Sequence, residues 1–376
     1  MKLLKLGEKS DIEHLYNLDK RLKAIAEIRI EKRDLYPTNL DEEYQTFLKA
    51  LDRGERYNPQ FKYDSIDYSK TNVLSLIDSL SEEFTKFGHE FSQYYLNLLD
   101  FYRRWVTTFL SDPERSSHRF ADSLFQLYGK TDHRALVLSK ELLKTNKYIN
   151  VSESDKKFGF DYLVEKFVGK MNDLDIKPWE CISKNIPGRI GLSTPERRIY
   201  INNKAKFAQG DINSLLAHEI GVHVCRAQTG YDLGLFGFTV GSVTNEAIEE
   251  GLAIRRSYDL KVTKPNILFE ASINCLISSV VDTMTFFDLF EYLEPYNSDV
   301  EWRFRKVCRV KRCLEDTSIF GGFTRDQVYM KGYSIVKDLD DKTYNEDLFK
   351  YRLATTELMY IPSLDKIKAN KKYLDV

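Results

Sequence analysis

A chain of 376 residues in which 42% of side chains are hydrophobic and 13% are aromatic can bury a large core and does not have the composition of a disordered protein. The 56 basic and 57 acidic residues nearly cancel, so we expect neither nucleic acid nor a membrane as a partner. The five cysteines contain no CxxC pair, which argues against a disulfide framework and favours a reducing compartment, the cytoplasm.

Apolar residues recur at helical spacing through the first part of the chain. Between residues 12 and 30 they fall at Leu15, Leu18, Leu22 and Ile25, the pattern of an amphipathic helix. Similar patterns predict helices over residues 72–87, 89–110, 120–128, 132–144 and 161–171.

The helices before residue 150 predict a mainly helical N-terminal lobe over residues 1–150, followed by a second lobe over residues 151–376. No obvious linker separates the two parts, so one compact unit is the alternative.

The pattern changes to short alternating runs in the sequence GRIGLSTPERRIYIN. Turn-forming residues interrupt these runs, which predicts a β-hairpin over residues 189–202. A helix follows, with Asp211 as its expected N-cap and Gly230 as its expected end, and another helix is expected to begin near Asn245. We therefore predict an α+β fold that is predominantly helical.

The longest apolar tract, residues 267–293, carries Glu270, Asp282, Asp288 and Glu291. Charged side chains are costly inside a bilayer, so we interpret this tract as a buried core helix.

The sequence HEIGVH places His218 and His223 five residues apart. Residues four apart on a helix differ in direction by about 40°, whereas residues five apart differ by about 140°. A π-turn absorbs one additional residue, and Gly221 lies where a widened turn is best tolerated. One metal can therefore bind both histidines if the helix is locally distorted. The alternative is an ordinary helix with one buried and one exposed histidine.

Glu250 is the candidate third ligand, because two histidines and a carboxylate are a standard set for catalytic zinc and leave a fourth position for water. The small residues Gly251 and Ala253 would let its helix approach the histidine helix. Glu246 and Glu249 are rivals for this role, although an ordinary acidic helix start accounts for both. Glu246 is also a candidate hydrogen-bond partner for a ligand histidine.

The HExxxH motif at residues 218–223, followed by EEGLA at residues 249–253, resembles a family of metallopeptidases that includes the microtubule-associated tyrosine carboxypeptidases. Further resemblance lies in GRIGLS, GGFTRDQVYMKGY and PQFKYD. The resemblance implies a zincin-like fold, Zn²⁺ as cofactor, and removal of a C-terminal residue, often aromatic. Bacterial relatives often carry glutamine where this chain has Glu249, which does not affect the ligand at position 250. The specificity of eukaryotic members for tubulin tails is not carried over.

The residues from 151 to 376 would then form the catalytic lobe. Glu219 directly follows the first ligand and would act as general base. Tyr329 could donate a hydrogen bond to the oxyanion, or be an interior aromatic residue.

A carboxypeptidase also needs a cation for the terminal carboxylate of its substrate. Arg189, Arg198 and Lys331 are the candidates, and each has the alternative of an ordinary surface charge.

The sequence thus favours a zinc carboxypeptidase that acts on the C-terminus of a peptide or protein. An endopeptidase or dedicated peptide-processing protease would use the same zinc site with an open cleft. A non-catalytic metal-binding interaction protein is the alternative from another class, and Glu219 argues against it, because a binding module does not need a general base.

Overall fold

The computed structural model describes residues 9–27, 35–64, 72–111, 115–149, 157–177, 179–186 and 188–370. The end of the first predicted helix, residues 28–30, and most of the expected boundary between the lobes, residues 150–156, lie outside these ranges. The division into two lobes therefore stays a prediction.

Helices dominate the described part of the chain, which confirms the predicted α+β, predominantly helical class. The first seven are α1 Lys9–Glu27, α2 Leu40–Asp52, α3 Val73–Phe87, α4 Ser92–Ser111, α5 His118–Tyr128, α6 His133–Thr145 and α7 Phe160–Asp173. The helices of the second half are α8 Gln209–Leu215, α9 Cys225–Leu233, α10 Phe236–Val240, α11 Val243–Asp259, α12 Ile267–Ser278, α13 Phe286–Tyr292, α14 Val300–Lys311, α15 Val328–Val336, α16 Leu348–Lys350 and α17 Ile361–Asn370.

Among the N-terminal helices, α2 is the one that we did not predict from the sequence. Leu40, Tyr44, Phe47 and Leu51 fall at helical spacing and pack into one apolar cluster, so the pattern of an amphipathic helix is present in its sequence.

A small three-stranded sheet is formed by β1 Glu180–Lys184, β2 Ile190–Ser193 and β3 Arg198–Asn202, in the order β1-β3-β2. The antiparallel pairing of β2 with β3 confirms the predicted hairpin. The first strand, which pairs in parallel with β3, was not predicted, because all five of its residues are partly buried or exposed, in no clear alternation.

The sheet and α7 form the support for the HEIGVH segment. Ile199 and Ile201 of β3 are buried in one apolar cluster with Phe167 of α7. Ile220 and Val224, which flank His223, belong to the same cluster and are fully buried. Burial of these neighbours fixes the backbone from which the histidines project.

The helix that carries the histidines begins and ends at residues other than those predicted. It runs from α8 through a π-helical segment, Leu216–Val224, into α9. Asp211 is the third residue of α8 and not its N-cap, and its carboxylate accepts a hydrogen bond from the N–H of Ala208. Gly230 lies within α9, which ends at Leu233 and is capped by Gly234, a residue in the left-handed conformation (φ 74°).

The long apolar tract forms α12 and α13, separated by a 3₁₀ turn, and not one helix. Nearly all of α12 is buried, as expected for a core element. None of the helices in the described part of the chain combines the length and apolar character that a bilayer crossing requires.

Helices α11 and α15 cross at a contact between two glycines. A Cβ atom on Gly332 would lie 1.6 Å from the carbonyl oxygen of Ala247, and one on Gly251 would lie 2.2 Å from the carbonyl carbon of Gly332. Gly251 of EEGLA therefore permits close approach to α15, whereas Ala253 belongs to an apolar cluster that includes Val222 of the histidine helix. This contact places Tyr329 of α15 beside the metal-site face of α11.

Replacing Gly332 by alanine is expected to reduce the free energy of unfolding by about 3 kcal/mol, because two backbones must separate to admit one methyl group. Chemical denaturation measures this change. The control is Gly169→Ala in α7, where the added methyl group meets no atom within 4 Å. This second substitution is expected to stabilise the protein by about 0.5–1 kcal/mol, and similar effects of the two substitutions would contradict the proposed backbone contact.

Candidate metal centre

The π-helical segment brings His218 and His223 to the same side of the helix. Their ring centroids lie 4.9 Å apart, although residues five apart on an α-helix would point in different directions. The predicted distortion between the two histidines is confirmed. A Cβ atom on Gly221 would lie 3.4 Å from the carbonyl oxygen of Leu216, so this glycine relieves crowding but is not strictly required.

Glu250 projects from α11 toward both histidines. Its Oε2 atom lies 3.4 Å from Nε2 of His218 and 3.7 Å from Nε2 of His223. One ligand atom from each residue lies within 4.8 Å of the others. The Oε2 atom is buried yet has no hydrogen bond of normal geometry, and a buried oxygen without a partner is costly. A cation between the three side chains would satisfy it, so these residues fit a zinc ion.

Electrostatics at the site also favour a positive charge. His223 is largely buried, which opposes its protonation, but its hydrogen bond with Glu249 and the charges of Glu249 and Glu250 outweigh burial and raise its pKa to about 10. Burial alone would raise the pKa of Glu250, but its interactions with His218 and His223 hold that pKa well below its usual value. The two carboxylates thus create a negative potential at the nitrogens that would bind a metal.

Glu249 is the residue that orients His223. Its Oε2 atom lies 2.8 Å from Nδ1 of His223, leaving Nε2 of that ring to face Glu250. A carboxylate on the far nitrogen of a ligand histidine fixes the ring and increases its basicity. The interpretation of Glu249 as an ordinary acidic residue of a helix start is therefore wrong.

Two buried arginines hold Glu249 in turn. Arg226 donates to its Oε1 atom at 2.6 Å, and Arg352 donates to its Oε2 atom at 2.9 Å. Arg226 also donates to the carbonyl oxygens of Leu348 and Leu353. The sequence carried one usable signal for this network, because Arg226 lies three residues after His223 on the same helix. Arg352 lies 103 residues from Glu249, so no local pattern connects them.

Glu246 does not hold a histidine, which corrects the second role considered for it. Its carboxylate accepts hydrogen bonds from Nε of Arg325 at 2.6 Å and from the hydroxyl of Tyr128 at 3.1 Å. Glu246 precedes Glu250 by one helical turn, and its side chain forms an ion pair with Arg325.

Glu219 and Tyr329 both lie at the site. Glu219 follows His218 on the π-helical segment and is partly exposed. The negative charge of Glu250, together with burial, raises the pKa of Tyr329 well above its usual value. Its hydroxyl therefore stays protonated and can donate a hydrogen bond.

The three candidate cations occupy different places. Arg189 donates to Asp211 at 2.7 Å, at the start of α8. Arg198 of β3 forms ion pairs with Glu180 and Glu196. Lys331 is exposed on α15. The structure does not bring these three side chains together, and their roles in substrate binding stay predictions.

Comparison with known proteins agrees with these motifs. A family model described as microtubule-associated tyrosine carboxypeptidase matches residues 45–361. Microtubule-associated tyrosine carboxypeptidase 1 from Rattus norvegicus is 31% identical over 306 residues, which is 79% of this chain and 54% of the rat protein. The Homo sapiens protein of the same name is 32% identical over 125 residues, 32% of this chain and 26% of the human protein. The chain thus matches about half of the rat protein and about a quarter of the human one. Because the family model covers well over half of this chain, the chain belongs to the microtubule-associated tyrosine carboxypeptidase family.

Proposed function

We propose that this protein is a zinc-dependent carboxypeptidase with a zincin-like site, which removes an aromatic C-terminal residue from a peptide or protein. The observation that carries the proposal is the convergence of His218, His223 and Glu250 beside Glu219 in a chain of this family. The rat and human relatives are named tyrosine carboxypeptidases, which makes tyrosine the first residue to test.

His218, His223 and Glu250 would hold the ion. When bound, Zn²⁺ would lower the pKa of a water molecule from 15.7 to about 7. The ion would also polarise the carbonyl group that is to be cleaved. Glu219 removes a proton from the attacking water and delivers it to the leaving amine. The hydroxyl group of Tyr329 donates a hydrogen bond to the carbonyl oxygen as negative charge develops there.

The remaining assignments follow from the sequence. The substrate is the C-terminus of a peptide or protein, with neither nucleic acid nor membrane as a partner, and the expected compartment is the cytoplasm. Arg189, Arg198 and Lys331 stay as candidates for the substrate carboxylate.

Metal analysis of Glu250→Ala tests the site. The unmodified protein is expected to contain about one zinc per chain, and the variant to contain almost none, because only two ligands remain. The control is Glu246→Ala, which removes a carboxylate one turn away on the same helix and should leave the zinc content unchanged.

Mass spectrometry of a peptide mixture incubated with the zinc-loaded protein tests the reaction. Loss of single C-terminal residues supports the proposal. Internal cuts alone would instead indicate an endopeptidase, and zinc binding without any cleavage would indicate a non-catalytic metal-binding protein.

A further inference from the structure

The proposed exopeptidase reaction limits how far the substrate carboxylate can lie from the bond that is cleaved. In the residue that leaves, three covalent bonds separate the carboxylate carbon from the attacked carbonyl carbon, a span of less than about 4 Å. The carboxylate C–O bond and a hydrogen bond to a cation add about 4 Å more. The cation that recognises the chain end must therefore lie within about 8 Å of the attacked carbon.

Arg325 is a cation that the structure holds one helical turn from the metal-site carboxylate Glu250. Its Nε atom donates to Oε1 of Glu246 at 2.6 Å, and its Nη2 atom contacts the same oxygen. Glu246 precedes Glu250 by four residues on α11, which is about 6 Å along the helix axis and about 40° around it. This contact places the guanidinium group beside the face of α11 that carries Glu250.

Arg325 and Tyr329 are the partly exposed residues of a segment that is otherwise buried. Every other residue from Gly321 to Met330 is buried. The part of this segment that solvent can reach therefore consists of the guanidinium group and the phenol that we propose as oxyanion donor. Sequence reasoning did not single out Arg325, because its partner Glu246 lies 79 residues away.

Arg325 belongs to a cluster in which positive charge exceeds negative charge. Asp326 accepts a hydrogen bond from Nε of Arg309 at 2.8 Å. The same carboxylate lies 3.4 Å from Nη2 of Arg312 and 4.0 Å from Nη1 of Arg325. Among the described residues, Asp326 and Glu246 are the carboxylates that pair with these three arginines, which we call the arginine cluster. Three guanidinium groups thus face two carboxylates, and one positive charge is in excess.

Burial makes this excess charge costly. Burial alone would raise the pKa of Asp326, but the three arginines hold that pKa well below its usual value, so this carboxyl group stays ionised. Arg312 is 3% exposed, and its Nε atom is buried without a hydrogen-bond partner. A buried charge without a full complement of partners is unfavourable, and an incoming anion would reduce this cost.

The Nη1 atom of Arg325 is the group that is left to bind a ligand. Its distance of 4.0 Å from Asp326 is too long for a hydrogen bond. In the part of the chain that the structure describes, Nη1 donates to no other acceptor. The contacts with Glu246 hold the other side of the guanidinium plane, so less entropy is lost when Nη1 binds an anion.

The other arginine candidates do not carry such an excess of charge. Arg189 is matched by Asp211 at 2.7 Å, and Arg198 lies between the carboxylates of Glu180 and Glu196. An anion that approaches either arginine meets carboxylates that already balance or exceed its charge.

We propose that Arg325 binds the terminal carboxylate of the substrate through its Nη1 atom, and that the excess positive charge of the arginine cluster favours the anion. This inference rests on the proposed peptidase function and adds the feature that makes the site selective for chain ends. Glu246 then positions the guanidinium group.

Peptide binding tests the proposal without requiring turnover. The probes are two short peptides of one sequence that ends in tyrosine, one with a free carboxylate and one with a carboxamide. Affinities are measured by calorimetry on the full zinc-loaded chain that carries Glu219→Gln. We expect the acid to bind more tightly than the amide. Adding Arg325→Met should weaken binding of the acid by about 10- to 100-fold and change binding of the amide less than about twofold.

Glu246→Gln, added to the same background, gives a second test that keeps the arginine. The amide oxygen of glutamine can still accept a hydrogen bond from Arg325 but no longer neutralises it, so binding of the acid should strengthen by about 2- to 10-fold. The combination of Arg325→Met with Glu246→Gln leaves no unpaired carboxylate at this position. It should lose the preference for the acid as fully as Arg325→Met does.

Two further variants control for unrelated effects. Arg305→Met removes an exposed arginine that pairs with Glu301 on α14, and it should leave both affinities unchanged. Arg325→Lys keeps the positive charge but not the planar fork, and it should retain part of the preference for the acid.

Equal binding of acid and amide to the Glu219→Gln protein would overturn the proposal, as would full preference for the acid in the variant that combines Arg325→Met with Glu246→Gln. If both variants without Arg325 fail to fold, the Glu246→Gln protein decides, because unchanged or weaker binding of the acid would also overturn the proposal. Failure of the proposed function gives a different outcome: the zinc-loaded natural chain releases no C-terminal residue, although the preference for the acid persists and depends on Arg325.

Discussion

Replacing Glu219 by glutamine is expected to lower kcat by about 100- to 10,000-fold while about one zinc per chain remains bound. Glutamine has nearly the same size as glutamate but cannot accept a proton from water at neutral pH. The three candidate zinc ligands are His218, His223 and Glu250, so the substitution removes no ligand. Turnover of a peptide ending in tyrosine and metal content are measured on the same preparation.

Glu301→Gln, which alters an exposed carboxylate on α14, is the control and should preserve turnover. A Glu219→Gln protein that retains kcat within about tenfold would remove Glu219 from the role of general base. Loss of zinc from this variant would instead show that Glu219 takes part in holding the metal.

Replacing Glu249 by alanine is expected to reduce the free energy of unfolding by about 3–5 kcal/mol and to weaken zinc binding by about 10- to 100-fold. The loss of stability follows because Arg226 and Arg352 would remain buried without a counter-charge. The loss of affinity follows because His223 would lose the carboxylate on its Nδ1 atom. Chemical denaturation and competition with a chelator measure the two effects separately.

Glu249→Gln separates these roles, because the amide oxygen can still accept a hydrogen bond from His223 but carries no charge for the arginines. We expect it to lose stability as the alanine variant does, while zinc affinity falls less. As a control, removing the exposed Glu301 should cost less than about 1 kcal/mol. A Glu249→Ala protein with unchanged zinc affinity would show that the hydrogen bond does not orient His223.

The parts of the site that sequence predicted are those set by local spacing. The five-residue interval between His218 and His223 required a distorted helix, and the structure has a π-helical segment there. The hairpin likewise appeared where turn residues separate two alternating runs. Both signals depend on residues within about one turn or one strand of each other.

The missing parts depend on contacts between distant segments. Arg352 approaches Glu249 from 103 residues away. Helix ends were also misplaced, because Asp211 and Gly230 have the chemistry of helix termini but are used for an ion pair and for close packing. Sequence alone supplies the residue type at such positions, whereas tertiary packing decides its use.

The π-helical segment affects more than the two histidines. Each residue of a regular α-helix turns the direction of the side chain by about 100°, so one residue absorbed in a wide turn shifts the phase of every later residue. In a regular helix Arg226 would point about 80° away from His218, but with one residue absorbed the difference falls to about 20°. His218, His223 and Arg226 then form a single stripe along the helix. The same extra residue that lets two imidazoles share a metal also positions Arg226 to neutralise Glu249. A deletion within this turn would therefore disrupt both the metal ligands and the contact between Arg226 and Glu249.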